Sequence, residues 1–274
     1  VQGLIVEGFR LEAGDRPVTV KLSGLMLGTS LRNLVVHKIS STGILATKLS
    51  AFRGDKREMR IENVVFHGAT PTARCIKFEP MPNTPQHINI VDCKFLGPFQ
   101  SAIDLGDYSN GLRIYGNVFA HGGAGIRFSG ISPAVVDTQI SNNSFFQCEN
   151  GIAFSEHPTT FSRNFKIQRN LFANMSGPEL TVDKDLNIQE FQAIIAGTQA
   201  VHGNWTSRPK PSEAGIDIIQ KNGRWAVDFV FHSTDPSHER FLAPTPSSPH
   251  RQMGQRTDYL RPVVGAVEFE APGK

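Results

Sequence analysis

An all-β chain wound into a solenoid of stacked parallel coils is what this sequence predicts, and three observations predict it. The first is a column of five phenylalanines, Phe66, Phe95, Phe119, Phe145 and Phe172, spaced 29, 24, 26 and 27 residues apart. That period is too short for an ordinary domain and suits one turn of a repeat that packs on its neighbours. The second is the segment leading into each Phe. Ile61-Glu62-Asn63-Val64-Val65-Phe66, Ile90-Val91-Asp92-Cys93-Lys94-Phe95, Ile114-Tyr115-Gly116-Asn117-Val118-Phe119, Ile140-Ser141-Asn142-Asn143-Ser144-Phe145 and Ile167-Gln168-Arg169-Asn170-Leu171-Phe172 share an inward Ile, a polar corner and an inward Phe. The third is a further short apolar strand after each anchor, as in Ile76-Lys77-Phe78, Ile103-Asp104-Leu105, Ile126-Arg127-Phe128, Ile152-Ala153-Phe154 and Leu180-Thr181-Val182.

Each element follows from its residues. Both sets of segments alternate with period two and neither is long enough for a helix, so each coil holds at least two short strands. Earlier copies, Leu31-Arg32-Asn33-Leu34-Val35-Val36 and Val6-Glu7-Gly8-Phe9, extend the series toward the start of the chain. Parallel strands ordinarily need helical crossovers, and none is encoded between these segments. A parallel β-helix removes the difficulty, because each strand pairs with its equivalent one coil on. A single coil cannot bury its own apolar face, so the coils fold together. Asn117, Asn143 and Asn170 share one corner position and Asn63, Asp92 and Asn142 the position before it. Asn and Asp suit turn and left-handed backbone, and stacked side-chain amides can bond from coil to coil.

On these repeats the chain resembles the right-handed parallel β-helix folds of the pectate-lyase-like superfamily over roughly residues 1 to 182. Residues 183–274 read as an irregular C-terminal capping region. Ala200 to Trp205 suggests one incomplete coil, Arg208-Pro209-Lys210-Pro211-Ser212 a linker, and Gly215 to Ile219 and Trp225 to Phe231 two strands. The stretch from Ser248 to Glu268 is similar to the closing segment of bacterial extracellular β-helices, with Pro249-His250 in place of the common Pro-Ala. This resemblance implies a bacterial protein at the cell surface or outside the cell. The opening Val1-Gln2-Gly3-Leu4 lacks Met and reads as mid-repeat, so we expect adjoining domains of a larger chain.

Composition narrows the function classes. The net charge is +3 and no aromatic residues interleave with the basic row on the strands equivalent to that of Ile61, which argues against nucleic acid. No stretch is apolar for long enough to span a membrane as a helix. Cys75, Cys93 and Cys148 are too few for a disulfide framework and read as buried free thiols, and no zinc-like spacing of Cys or His occurs. The sequon matches at Asn142, Asn174 and Asn204 carry little weight, since three residues match by chance.

Chemistry is sought on outward positions, because the inward ones are consumed by packing. Lys77, Asp104 and Arg127 occupy equivalent places in three successive coils, forming a cation–anion–cation row at strand spacing. Abstraction of a proton beside a uronate carboxylate needs a base and cations for the developing charge, which makes this row the catalytic candidate. Glu79, Asp104 and Asp107 are the candidate oxygen ligands for Ca²⁺. The same row also reads as a charge ladder that holds neighbouring strands in register. A second row, Arg60, Asn89, Arg113, Gln139 and Lys166, offers Arg60, Arg113 and Lys166 to an acidic polysaccharide laid lengthwise. His121, in His121-Gly122-Gly123-Ala124-Gly125, and His157, in Glu156-His157-Pro158, are two further binding candidates at corners. The signatures of glycoside hydrolases of this fold (Asn-Thr-Asp, Asp-Asp, Gly-His-Gly, Arg-Ile-Lys in order) are absent, as are the Asp run and Arg-Pro-x-x-Arg of pectate lyases. The expectation is therefore a β-helix associated with polysaccharide binding or processing. The alternatives are a structural or passenger segment of a surface protein, or a lyase or hydrolase with a non-standard site.

Overall fold

The structure, a computed structural model, describes residues 4–25, 28–50, 58–79, 87–106, 111–129, 134–135, 137–155, 160–161, 165–182, 201–209 and 223–249. Within them the chain is a parallel β-helix whose coils each supply three strands. Coils one and two run Ile5–Glu7, Arg10–Glu12, Val18–Leu25 and Ser30–Arg32, Val35–Ile39, Thr42–Ser50. Coils three and four run Met59–Glu62, Val65–Gly68, Arg74–Phe78 and Ile88–Val91, Lys94–Leu96, Ser101–Asp104. Coils five and six run Leu112–Tyr115, Val118–Ala120, Ala124–Phe128 and Gln139–Ser141, Ser144–Phe146, Asn150–Phe154. Coil seven runs Lys166–Gln168, Leu171–Ala173, Leu180–Val182, and an eighth adds Val201–His202 and Trp205–Thr206. Equivalent strands pair in parallel, giving a first and a second sheet of eight strands each and a third of seven. Ala134–Val135 and Thr160–Phe161 form a small separate pair.

The corner between the first and second sheets is the most regular part of the coil. Asn33, Asn63, Asp92, Gly116, Asn142, Arg169 and Gly203 all have φ between 50 and 69° there. This left-handed step turns the chain in two residues, which is why Asn, Asp and Gly dominate it. Arg169 is the exception to that chemistry. One residue later the buried Asn117, Asn143, Asn170 and Asn204 form a ladder inside the corner. Asn117 donates from its backbone N and its Nδ2 to Asn143 Oδ1, both at 3.0 Å, and its Nδ2 also donates to the Ile90 carbonyl at 2.9 Å. Asn143 repeats this toward Asn170 and Ile114, and Asn170 toward Asn204 and Ile140. Each amide thus satisfies backbone groups that the bend takes out of the strand ladders, where an unmet buried partner would cost about 1–3 kcal/mol.

Inside the coils the anchor phenylalanines stack as the period requires. Phe66, Phe95, Phe119, Phe145 and Phe172 are fully buried, with successive ring centroids 4.9, 5.0, 4.7 and 4.7 Å apart and nearly parallel planes. That separation is the strand spacing itself, so the backbone sets the ring spacing. A column of small residues makes room for the rings. A Cβ on Gly125 would lie 2.5 Å from the Phe145 ring, and one on Gly151 2.5 Å from the Phe172 ring.

The C-terminal segment is irregular, and one of its two expected strands is not formed. Trp225 to Phe231 is not a strand in the described residues; Trp205 and Arg224 form an isolated parallel bridge, and Phe231 and Ser233 bridge locally to Pro244 and Phe241. Ahead of them, Thr206 N donates to the Arg224 carbonyl and Val227 N to the Thr206 carbonyl, both at 2.9 Å, so the chain seals the edge of the second sheet. It then lies along that sheet's outer face. Val227, Phe241 and Leu242 pack with Leu96, Val118, Ala120, Phe146, Leu171, Ala173 and Trp205 into a second apolar cluster. The segment's apolar side chains pack against the sheet's outer side chains. The strand expected at Gly215 to Ile219 and most of the expected closing segment lie outside the described residues.

Candidate functional site

The register confirms the alignment of the first candidate row but changes its chemistry. Asp104 pairs with Lys77 on one side and Arg127 on the other. Its side chain is nevertheless only 5% exposed, and it is spoken for. Arg74 Nε lies 3.0 Å from Asp104 Oδ2, close enough for an ion pair though not aligned for a hydrogen bond. Oδ1 accepts a hydrogen bond from Ser129 Oγ and a long one, 3.4 Å, from Gly106 N. Arg127 Nε donates to Ser155 Oγ at 3.0 Å. Asp104 therefore ties the third, fourth and fifth coils together from within the third sheet's outer face, where the sequence suggested an accessible member of a catalytic row and a Ca²⁺ ligand. The missed partner is Arg74, three residues before Lys77, which register alone puts opposite Ser101. Lys77 and Glu79 are half-buried. Asp107 and His157 lie outside the described residues, and among the described residues no group of three or more His, Cys, Asp or Glu is arranged to hold a metal ion.

The second row is assembled as its spacing implies. Arg60, Asn89, Arg113, Gln139 and Lys166 are successive partners across the first sheet. Cations stand on coils three, five and seven, roughly 9.6 Å apart at two strand spacings. Acidic residues of coil three accompany the first two. Arg60 Nη2 donates to Glu62 Oε1 at 3.0 Å, and Arg113 Nη1 lies 3.6 Å from Glu58 Oε1. Asn89 Nδ2, between them, donates to the other oxygen of Glu58. The Arg60 and Arg113 side chains are 41% and 51% exposed, so these ion pairs are screened and hold their arginines weakly.

His121 stands at a different corner, between the second and third sheets, with φ 61°. Its ring meets Phe146 edge-on at 5.5 Å and lies near Phe241 of the C-terminal segment at 6.5 Å. His121 and the turns of the neighbouring coils line an open cavity of about 430 Å³. The cavity was not read from the sequence; it lies where the turn carrying Gly122 and Gly123 stands beside turns with larger side chains. The three cysteines are buried and unpaired, as expected, and burial pushes the Cys93 and Cys148 thiols up to about 12.

A family model described as a right handed beta helix region matches residues 81–222, just over half of the chain. The chain belongs to that family. Membership of this right-handed β-helix family fits the pectate-lyase-like resemblance of the repeats and the three parallel sheets. No curated protein and no solved structure matches this β-helix. Among its described residues no helix is long and apolar enough to cross a membrane.

Proposed function

We propose that this β-helix is a non-catalytic module of a surface or extracellular protein that binds an acidic polysaccharide lengthwise along the outer face of the first sheet. The observation that carries the reading is the straight row of Arg60, Arg113 and Lys166 on alternate coils. A polymer with regularly spaced carboxylates or sulfates meets a cation at every second coil, and the weak pairs to Glu58 and Glu62 give way to it at small cost. The fold alone does not specify glycan chemistry, so the weight rests on this row.

Binding of polygalacturonate, alginate and a sulfated glycan, followed by calorimetry with and without Ca²⁺, tests the reading. We expect binding that weakens as salt rises and falls at least tenfold in R113A/K166A. Loss of salt dependence, or unchanged binding in that variant, rejects the row as the site. The competing enzymatic reading puts Lys77, Asp104 and Arg127 at a reaction centre, with Glu79, Asp104 and Asp107 holding Ca²⁺. The engagement of Asp104 by Arg74 and of Arg127 by Ser155 supports a structural role instead. Unsaturated or reducing-end products from the purified chain, lost in R127A, would favour the enzyme.

A further inference from the structure

We propose that the cavity at the corner between the second and third sheets is a second binding site, for an uncharged sugar ring, separate from the basic row. It begins with the turns. The residues joining the second-sheet strand to the third-sheet strand are 69–73 in coil three, 97–100 in coil four, 121–123 in coil five and 147–149 in coil six. The coil-five turn, His121-Gly122-Gly123, is as short as the coil-six turn but carries one side chain, so the side chains of the turns beside it stand as walls around a floor of backbone.

The two glycines are fixed by packing as well as by the bend. A Cβ on Gly122 would fall 2.2 Å from the Phe99 ring, and one on Gly123 2.4 Å from the Gln100 carbonyl oxygen. The floor therefore cannot be filled by any side chain from those positions without displacing its neighbours. Around it stand Gln100, Gln147, Glu149 and His121, with Pro71 and Pro98 on the coil-three and coil-four side. Two amides, one carboxylate and one imidazole offer both donors and acceptors to neighbouring hydroxyls, while the prolines present apolar surface to the C–H face of a ring. His121 Nε2 is shielded and has no hydrogen-bond partner among the described residues. A buried polar atom without a partner is uncommon in a folded protein, and the His121 ring has to turn toward the cavity for a ligand hydroxyl to reach it.

The charge sets the class of ligand. Among the described residues Glu149 is the one carboxylate lining the cavity and no Lys or Arg lines it, so an acidic sugar is disfavoured here and favoured on the first sheet. The two sites are thus distinguishable by salt and by substitution.

The experiment titrates the purified chain with uncharged disaccharides (cellobiose, xylobiose, mannobiose, lactose and chitobiose) by saturation-transfer NMR and calorimetry. Two variants accompany it. E149Q changes an exposed residue and keeps its shape, and H121N retains a residue type that accepts the left-handed backbone at this position. The expected result is binding of at least one disaccharide, insensitive to salt, weakened tenfold or more in both E149Q and H121N, and unchanged in R113A/K166A. Absence of binding across the panel to tens of millimolar overturns the proposal. So does binding that E149Q and H121N leave intact in folded protein. Failure of the acidic-glycan experiment would leave this result standing, since the two share no residue.

Discussion

At the scale of single residues, the outer face of the second sheet carries a titratable pair that coil stacking creates from residues distant in sequence. His37 and His67 are stacked with centroids 4.2 Å apart and planes 8° from parallel. Desolvation is the main cause that holds both imidazoles below their usual range; Arg10 lowers both further, His37 lowers His67, and Glu12 acts in the opposite direction on His37. Lowered folded-state values mean that the unfolded chain binds more protons near neutrality, so stability is fully present above about pH 6.5 and is lost as pH falls through the folded-state values. We expect the melting temperature to drop between pH 7 and pH 5, with a shallower drop in H67Q, which keeps a polar side chain but cannot be protonated. A profile as steep in H67Q as in the parent chain would assign the acid sensitivity elsewhere. The aligned repeats place His37 and His67 directly after the paired Val36 and Phe66, thirty residues apart, so the pair was legible in the sequence and went unread.

At the scale of elements, the phenylalanine column and the asparagine ladder were legible, because a solenoid places equivalent residues at one period and their chemistry repeats with it. The complementary column of small residues was legible in principle too. Gly43, Cys75, Ala102, Gly125 and Gly151 each precede the Ile that opens the third-sheet core, and the rings packed against Gly125 and Gly151 explain why that place stays small. Replacing Phe119 by Ala should cost about 3–5 kcal/mol, since the rings of Phe95 and Phe145 on either side would face a cavity. Gly125→Ala should cost less, about 1–3 kcal/mol, by overpacking the Phe145 ring. Urea unfolding of both variants checks the order, and an equal or reversed ranking would mean that the column is not close-packed. What escaped the sequence was the partner of each outward charge. Asp104 was read correctly as an outward position in its strand, yet outward does not mean exposed when Arg74 and Ser129 close over it.

At the scale of the whole molecule, the two halves of the second sheet's outer face are chemically different. Coils one and two present Arg10, Glu12 and His37, whereas coils four to eight present Leu96, Val118, Phe146, Leu171 and Trp205. That switch from polar to apolar was readable in the residues flanking each anchor, and it announces a cover that periodicity could not identify. The cover is the chain between Arg224 and Ser248, fastened further by Arg224 over the Trp205 ring at 4.8 Å. A chain ending at Pro209 should expose this apolar strip, bind a hydrophobic dye and aggregate; a monomeric, dye-negative truncation would show the cover to be dispensable. Solenoids ordinarily fray from their ends, one repeat at a time. Here the C-terminal arm packs on side chains of several coils at once, so the last coil cannot leave until the arm has let go of its neighbours as well. Amide protons of coils four to eight are accordingly tied to a single opening event, and those of coils one and two exchange independently of it.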